Sequence, residues 1–150
     1  TYGARSFFYG NDFYGFYRAQ AGVRADTTAD SIVQFRNEIS AFGEQGLTVK
    51  ELEFVKSAIG QRDARNYETP RQKLSFLSEI MTYNLDKGFV DKQNEILEKV
   101  SLEELSGLAA KHLKLDEMIT VVVGDKAEVM DSLKPMFENI VELDEEGKPL

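Results

Sequence analysis

Hydrolysis at a zinc ion needs three protein ligands, usually His or Glu, and often two histidines spaced along one helix. The 150-residue chain has one histidine, His112. It falls near the end of an expected helix, where an imidazole complements the helix C-terminus or faces solvent. Serine-triad chemistry would need His112 as base beside an elbow-placed serine, and no Gly-x-Ser-x-Gly is present. The absence of cysteine excludes disulfides, thiolate nucleophiles and Cys-bound metals. Among the 26 acids, Glu103-Glu104 and Glu145-Glu146 read as a helix start and a tail rather than a catalytic pair. Val121–Asp125 (Val-Val-Val-Gly-Asp) resembles the strand end of a nucleotide fold, but no Gly-rich loop follows to cradle a phosphate. Phe7, Phe8, Tyr9, Phe13, Tyr14, Phe16 and Tyr17 are either a stacking platform or core; without a basic surround, core packing is expected. On residue chemistry alone the chain specifies no catalytic centre.

The net charge of −8 argues against a nucleic-acid partner, since phosphate contact needs an excess of Lys and Arg. Residues 1–36 hold four Arg against three Asp, a net +1, and the remainder holds 14 cations against 23 acids, a net −9. The acidic part is therefore the later, helical portion, where a solvated face is the usual reason. No apolar run approaches the roughly 20 residues of a bilayer span, so no membrane span is expected. The first residue is Thr1 rather than Met, which suggests that a leading segment has been removed. Lack of cysteine suits cytoplasm and periplasm equally.

The elements that would position these residues begin with strands. Ser6 to Tyr9 is aromatic and β-prone, Gly10-Asn11-Asp12 supplies a turn, and Phe13 to Ala25 alternates. Phe13, Tyr17, Ala19, Ala21 and Val23 share one parity; Tyr14, Phe16, Arg18, Gln20 and Arg24 share the other. A hairpin covered on one side is expected. Helix starts follow at Thr27 with Asp30, Thr48 with Glu51, and Ser101 with Glu104, each at capping-box spacing. Thr69-Pro70 is a fourth start, with proline where its missing N–H is harmless. Apolar stripes lie behind these caps, for instance Ile32, Phe35, Ile39 and Phe42, or Leu74, Leu77, Met81 and Leu85. Gly43, Gly46 and Gly88 stand where helices should stop. A shorter helix is expected over 91–100.

Met118 to Val123 then reads as a central strand buried on both faces. A helix follows from Lys126 to about Lys134, Ile140 to Leu143 is an expected edge strand, and 144–150 has no evident reason for order. The order β-β, helices, β-α-β indicates α+β, with helices packed on an antiparallel sheet. So few strands against so many helices leave an open sheet edge, and with it a route to self-association.

Taken in order, these segments resemble the insulinase/pitrilysin family of zinc peptidases. Thr-Tyr-Gly-Ala-Arg-Ser (1–6) is similar to the family's Leu-Arg-Glu-x-x-Gly-Tyr-Thr-Tyr-Gly-Ala-x-Ser. Phe-Tyr-Gly-Phe-Tyr (13–17), Val-Arg-Ala-Asp-Thr-Thr (23–28), Leu-Thr-Val-Lys-Glu-Leu-Glu (47–53), Tyr-Glu-Thr-Pro (67–70) and Ile-Thr-Val-Val-Val-Gly-Asp (119–125) follow in the family's order. The resemblance implies residues 1–143 as the C-terminal part of one metallopeptidase-like domain, of the mitochondrial processing peptidase type, with 144–150 as a flexible tail. In such peptidases one domain carries zinc on His-x-x-Glu-His plus a distal Glu. Its partner domain lacks these ligands and supplies an Arg and a Tyr, seven positions apart, that hold the peptide. The Tyr-Gly-Ala form favours the noncatalytic domain, although catalytic domains carry a related Gly-Leu-Ala-Tyr segment. By resemblance Tyr2 is the substrate-holding tyrosine, its Arg falling before Thr1; on residues alone it is an ordinary edge-strand tyrosine. The implied cofactor is none in this chain, with zinc on the catalytic domain. The implied partners are a peptide and that catalytic domain or subunit. A structural, non-enzymatic subunit of the same family is the alternative.

Overall fold

Asn11 closes the first turn. Its amide donates to the Tyr14 carbonyl (3.0 Å), and its side-chain oxygen accepts from the amides of Phe13 (2.8 Å) and Tyr14 (3.0 Å). An Asn that bonds its own backbone two residues on is a local turn former. It joins β1 (Ala4–Gly10) to β2 (Gly15–Ala21), antiparallel from Ala4 opposite Ala21 to Gly10 opposite Gly15. In this computed structural model, which describes residues 3–65 and 68–150, the chain is α+β. Among the described residues the only sheet is this two-stranded hairpin.

The helices are α1 (Thr28–Gln45), α2 (Val49–Arg65), α3 (Pro70–Tyr83), α4 (Phe89–Lys99), α5 (Leu102–His112) and α6 (Lys126–Leu133). Three begin on reciprocal capping boxes. Thr48 and Glu51 start α2, with N–H···O distances of 2.8 and 3.3 Å. Ser101 and Glu104 start α5, at 2.8 and 3.2 Å. Thr69 and Gln72 start α3, at 2.9 and 3.3 Å, with Pro70 at its first position. Each box satisfies two otherwise orphaned donors. The box expected at Thr27 and Asp30 does not form. A 3-10 turn over Ala25–Thr27 precedes α1, and the Thr27 hydroxyl donates back to the Arg24 carbonyl (3.0 Å). α6 is capped by Asp125, whose side chain accepts from the Ala127 amide (2.9 Å).

Two expected stops also move. Gly43 lies inside α1, which ends at Gly46; there φ is +66° and the amide donates to the Phe42 carbonyl (2.9 Å). The left-handed backbone there favours glycine, and a β-carbon would also require the Ser106 hydroxyl, 2.1 Å from its position, to turn away. Asn84, at φ 48°, is the left-handed cap of α3, and Gly88 becomes the N-cap of α4.

Residues 1–40 with 113–150 form one compact unit, and residues 41–112 form a second. In the first, α6 packs against the 3-10 turn at Ala25–Thr27. Thr28, Ile39, Leu113, Val129 and Leu133 are buried there. In the second, Lys56 Nζ donates to the Glu98 and Val100 carbonyls (2.8 and 2.9 Å), placing a cation at the C-terminus of α4. Ala109 is the buried apolar residue of that unit among those described. The expected stripe on α3 is corrected: Leu74, Leu77 and Met81 face outward, Met81 at 83% exposure, while Phe76 and Ile80 are half-buried. Helical period alone cannot say which of two apolar lines its neighbours cover.

The central strand is the main correction. Met118–Val123 is in no strand, and Ile119, Val121 and Val123 are 90, 77 and 95% exposed. No backbone group from Ile119 to Val123 makes a hydrogen bond among the described residues. A strand exists only as half of a ladder, and no neighbour among the described residues supplies the other half. Covering each of these side chains would be worth about 1.5–3 kcal/mol, so the run is left unsatisfied on both counts. The expected edge strand at Ile140–Leu143 reduces to one antiparallel bridge, Leu143 to Pro149. Residues 144–150 nevertheless have a local conformation: Asp144 Oδ1 accepts from the amides of Glu146 (2.9 Å) and Lys148 (2.8 Å) around Gly147.

Candidate functional site

Direct pairing in the hairpin puts opposite residues on one face. Arg5, Phe7, Tyr9, Phe16, Arg18 and Gln20 share the first face, and Ala4, Ser6, Phe8, Tyr17, Ala19 and Ala21 share the second. On the first, Tyr9 stacks on Phe16 with centroids 5.2 Å apart, and Phe7 meets Phe16 edge-on at 6.4 Å. Tyr14 extends this group, 5.9 Å from Tyr9 and 6.3 Å from Phe16. On the second, Phe8 and Tyr17 lie 4.9 Å apart. Such ring pairs add about 0.5–1.5 kcal/mol beyond their burial.

The rings hold one another rather than a core. All of β1 is exposed; on β2, Tyr17, Ala19 and Ala21 are half-buried, so their parity is the more covered, as its composition suggests. Phe7, Phe8, Tyr9 and Phe16 all keep a solvent-facing surface, and Phe13 at the hairpin tip is 92% exposed. The core role expected for the aromatic group is therefore corrected: within the described residues it is a surface. Among the described residues Arg5 and Arg18 make no ion pair on it. Arg24, just past the hairpin, is held by Asp26 (Nε to Oδ1, 2.9 Å); that hydrogen bond raises the Arg24 pKa and lowers that of Asp26.

Tyr2, the one candidate substrate-holding residue, lies outside the described residues, as does Tyr67 of the Tyr-Glu-Thr-Pro segment. No family model, curated protein or solved structure matches the chain. His112 is exposed at the last position of α5, and no group of three His, Cys, Asp or Glu capable of holding a metal occurs among the described residues. Nor is any helix among them long and apolar enough to cross a membrane.

An open groove of about 470 Å³ lies elsewhere in the first unit. Met118, Met136 and Phe137 are among its apolar lining, and Arg36, Asp116 and Glu138 among its polar lining. It begins where the unpaired run 119–123 begins. Sequence patterning has no signal for it, because its walls come from α1, the turn at Leu115–Glu117 and the segment after α6. Among the described residues these surfaces offer a free β-edge, exposed rings and arginines outside any ion pair, a chemistry suited to recognition.

Proposed function

We propose that the chain is a noncatalytic part of a zinc peptidase of the insulinase/pitrilysin type, with the zinc on a separate domain or subunit, and that it helps hold an extended peptide. The observation that carries this is the outer edge of β1. All seven residues are exposed, no second strand among the described residues covers that edge, and the strand begins two residues after Tyr2. An extended peptide can add to such an edge through main-chain hydrogen bonds. A tyrosine hydroxyl at the head of the strand can donate to a peptide carbonyl or terminal carboxylate. Help of this kind acts through orientation rather than bond chemistry. The ordered run of family-like segments from Thr1 to Asp125 supports the family; a sheet extended by further strands is part of the same proposal.

In the intact protein, Tyr2→Phe is expected to lower peptide turnover about tenfold, the equivalent of one lost hydrogen bond, with zinc content unchanged. Wild-type turnover would remove Tyr2 from the role. A second reading, a structural or assembly subunit without peptidase activity, draws on the exposed Leu74–Leu77–Met81 line and the unpaired 119–123 run. A His-x-x-Glu-His segment upstream in the parent protein or in a co-purifying partner favours the first reading; its absence from both favours the second.

A further inference from the structure

The first face of the hairpin carries Arg5, Phe7 and Tyr9 from β1 and Phe16, Arg18 and Gln20 from β2, and no acid. The chain that bears it has a net charge of −8. Both arginines are exposed, and among the described residues neither has an ion-pair partner. Arg18 stands opposite Phe7, on the diagonal from Arg5, a backbone separation of roughly 7–8 Å. Two cations at that spacing favour an anion set against them. Further strands of the sheet would add at its edges and leave the composition of this face as it is. A segment laid over it would have to bury two guanidinium groups, which proteins do only against acids. The other face, with half-buried Tyr17, Ala19 and Ala21, is the one suited to cover. Granted the peptide-holding role proposed above, on which this rests, we propose that Arg5, backed by Arg18, selects peptides carrying an acid beside an apolar pair.

Strand pairing fixes where that acid must stand. A peptide added antiparallel to β1, the stronger ladder, runs its C-terminal end toward the head of the strand. That is the end at which Tyr2 is proposed to hold a carbonyl or a terminal carboxylate. Directly opposed residues share a face, so the peptide residues opposite Tyr9, Phe7 and Arg5 stand two apart on the arginine face. β-branched side chains suit the two positions against the rings, since aromatic and β-branched neighbours pair favourably across strands. A carboxylate suits the position against Arg5, where a guanidinium can meet it with two parallel hydrogen bonds. Read from the peptide's N-terminus, the selected pattern is apolar, any, apolar, any, acidic. Moving the acid back by one residue sets it opposite Ser6 on the other face, away from Arg5.

Three end-labelled peptides test this: Val-Ser-Val-Ser-Glu, its Gln twin Val-Ser-Val-Ser-Gln and the shifted Val-Ser-Val-Glu-Ser, each flanked by Gly-Gly. Binding to the intact protein is read by stopped-flow fluorescence anisotropy, before any cleavage. The first peptide is expected to bind about fivefold tighter than the other two, an advantage that shrinks as salt rises. Arg5→Glu should reverse the order of the first two, and Val-Ser-Val-Ser-Lys should regain the affinity that variant loses. A matched charge swap of this kind is not the signature of an altered fold. A preference below about twofold, equal binding of the shifted peptide, or no recovery with the Lys peptide overturns the proposal. An acid elsewhere in the intact protein that already holds Arg5 would show itself as the first of these outcomes. Failure of every peptide to bind removes the peptide-holding role and the selection together; binding without preference removes the selection alone.

Discussion

The helices of residues 41–112 and the β-elements of the other unit differ in where their instructions reside. α2, α3 and α5 each start on a hydroxyl and an acid or amide three residues on, so the signal and its target lie within one turn. The run 119–123 has as strong a composition as any strand could, and forms none. Its missing ingredient is not in the run. A helix closes its own hydrogen bonds, whereas a strand borrows a neighbour's.

Variants can break or sharpen that contrast. The largest effect is expected from Gly46→Ala, which meets both a left-handed backbone and the Ser106 Oγ at 2.1 Å. A loss of about 1–2 kcal/mol in urea unfolding is expected; a loss below about 0.5 kcal/mol would show that the α1 end adjusts freely. Ser101→Ala and Thr69→Ala should each cost about 1 kcal/mol by removing a cap. Thermal melts read by far-UV circular dichroism check this, and a null result at both would deny the boxes their role. Lys56→Met removes both hydrogen bonds to the end of α4 and should cost about 1 kcal/mol or less, read by the same melts.

The acids of the boxes give a pH signature. Hydrogen bonds from Thr48 lower the Glu51 pKa, the backbone amide first, and those from Ser101 do the same for Glu104. A carboxylate whose folded pKa is depressed stabilises the fold above the unfolded value. That stabilisation is lost as pH falls from 4.5 through the lower folded value. Melting at pH 6 and pH 3 should therefore differ less in a Glu51→Gln/Glu104→Gln variant than in the parent chain. Met81→Gln is expected to change stability by less than about 0.5 kcal/mol. A core-sized loss there would restore the stripe that the sequence suggests.

Legibility follows the same division. The hairpin, its Asn11 turn, the starts of α2, α3 and α5 and the stop at Gly46 were all readable, because each depends on a few neighbouring residues. Less readable was the stop of α3, expected at Gly88 but made by Asn84, which is also able to take the left-handed position. What patterning missed was coverage among the described residues: which line of α3 turns inward, that Met118–Val123 lacks a ladder, and that the aromatic hairpin presents its rings to solvent. Coverage is a property of pairs of elements, and one element's sequence states only half of it. The candidate site shares this limit. Tyr2 rests on resemblance alone and lies outside the described residues, while the groove at Met118, assembled from three separated segments, had no local signal.

The unpaired run has one more consequence, for solubility. Ile-Thr-Val-Val-Val is a short, uncharged, proline-free β-branched stretch, the composition that stacks into cross-β fibrils when exposed. Asp116, Glu117 and Asp125 bracket it, and charges at such ends act as gatekeepers against stacking. Neutralising them would remove that guard and let the segment stack on copies of itself.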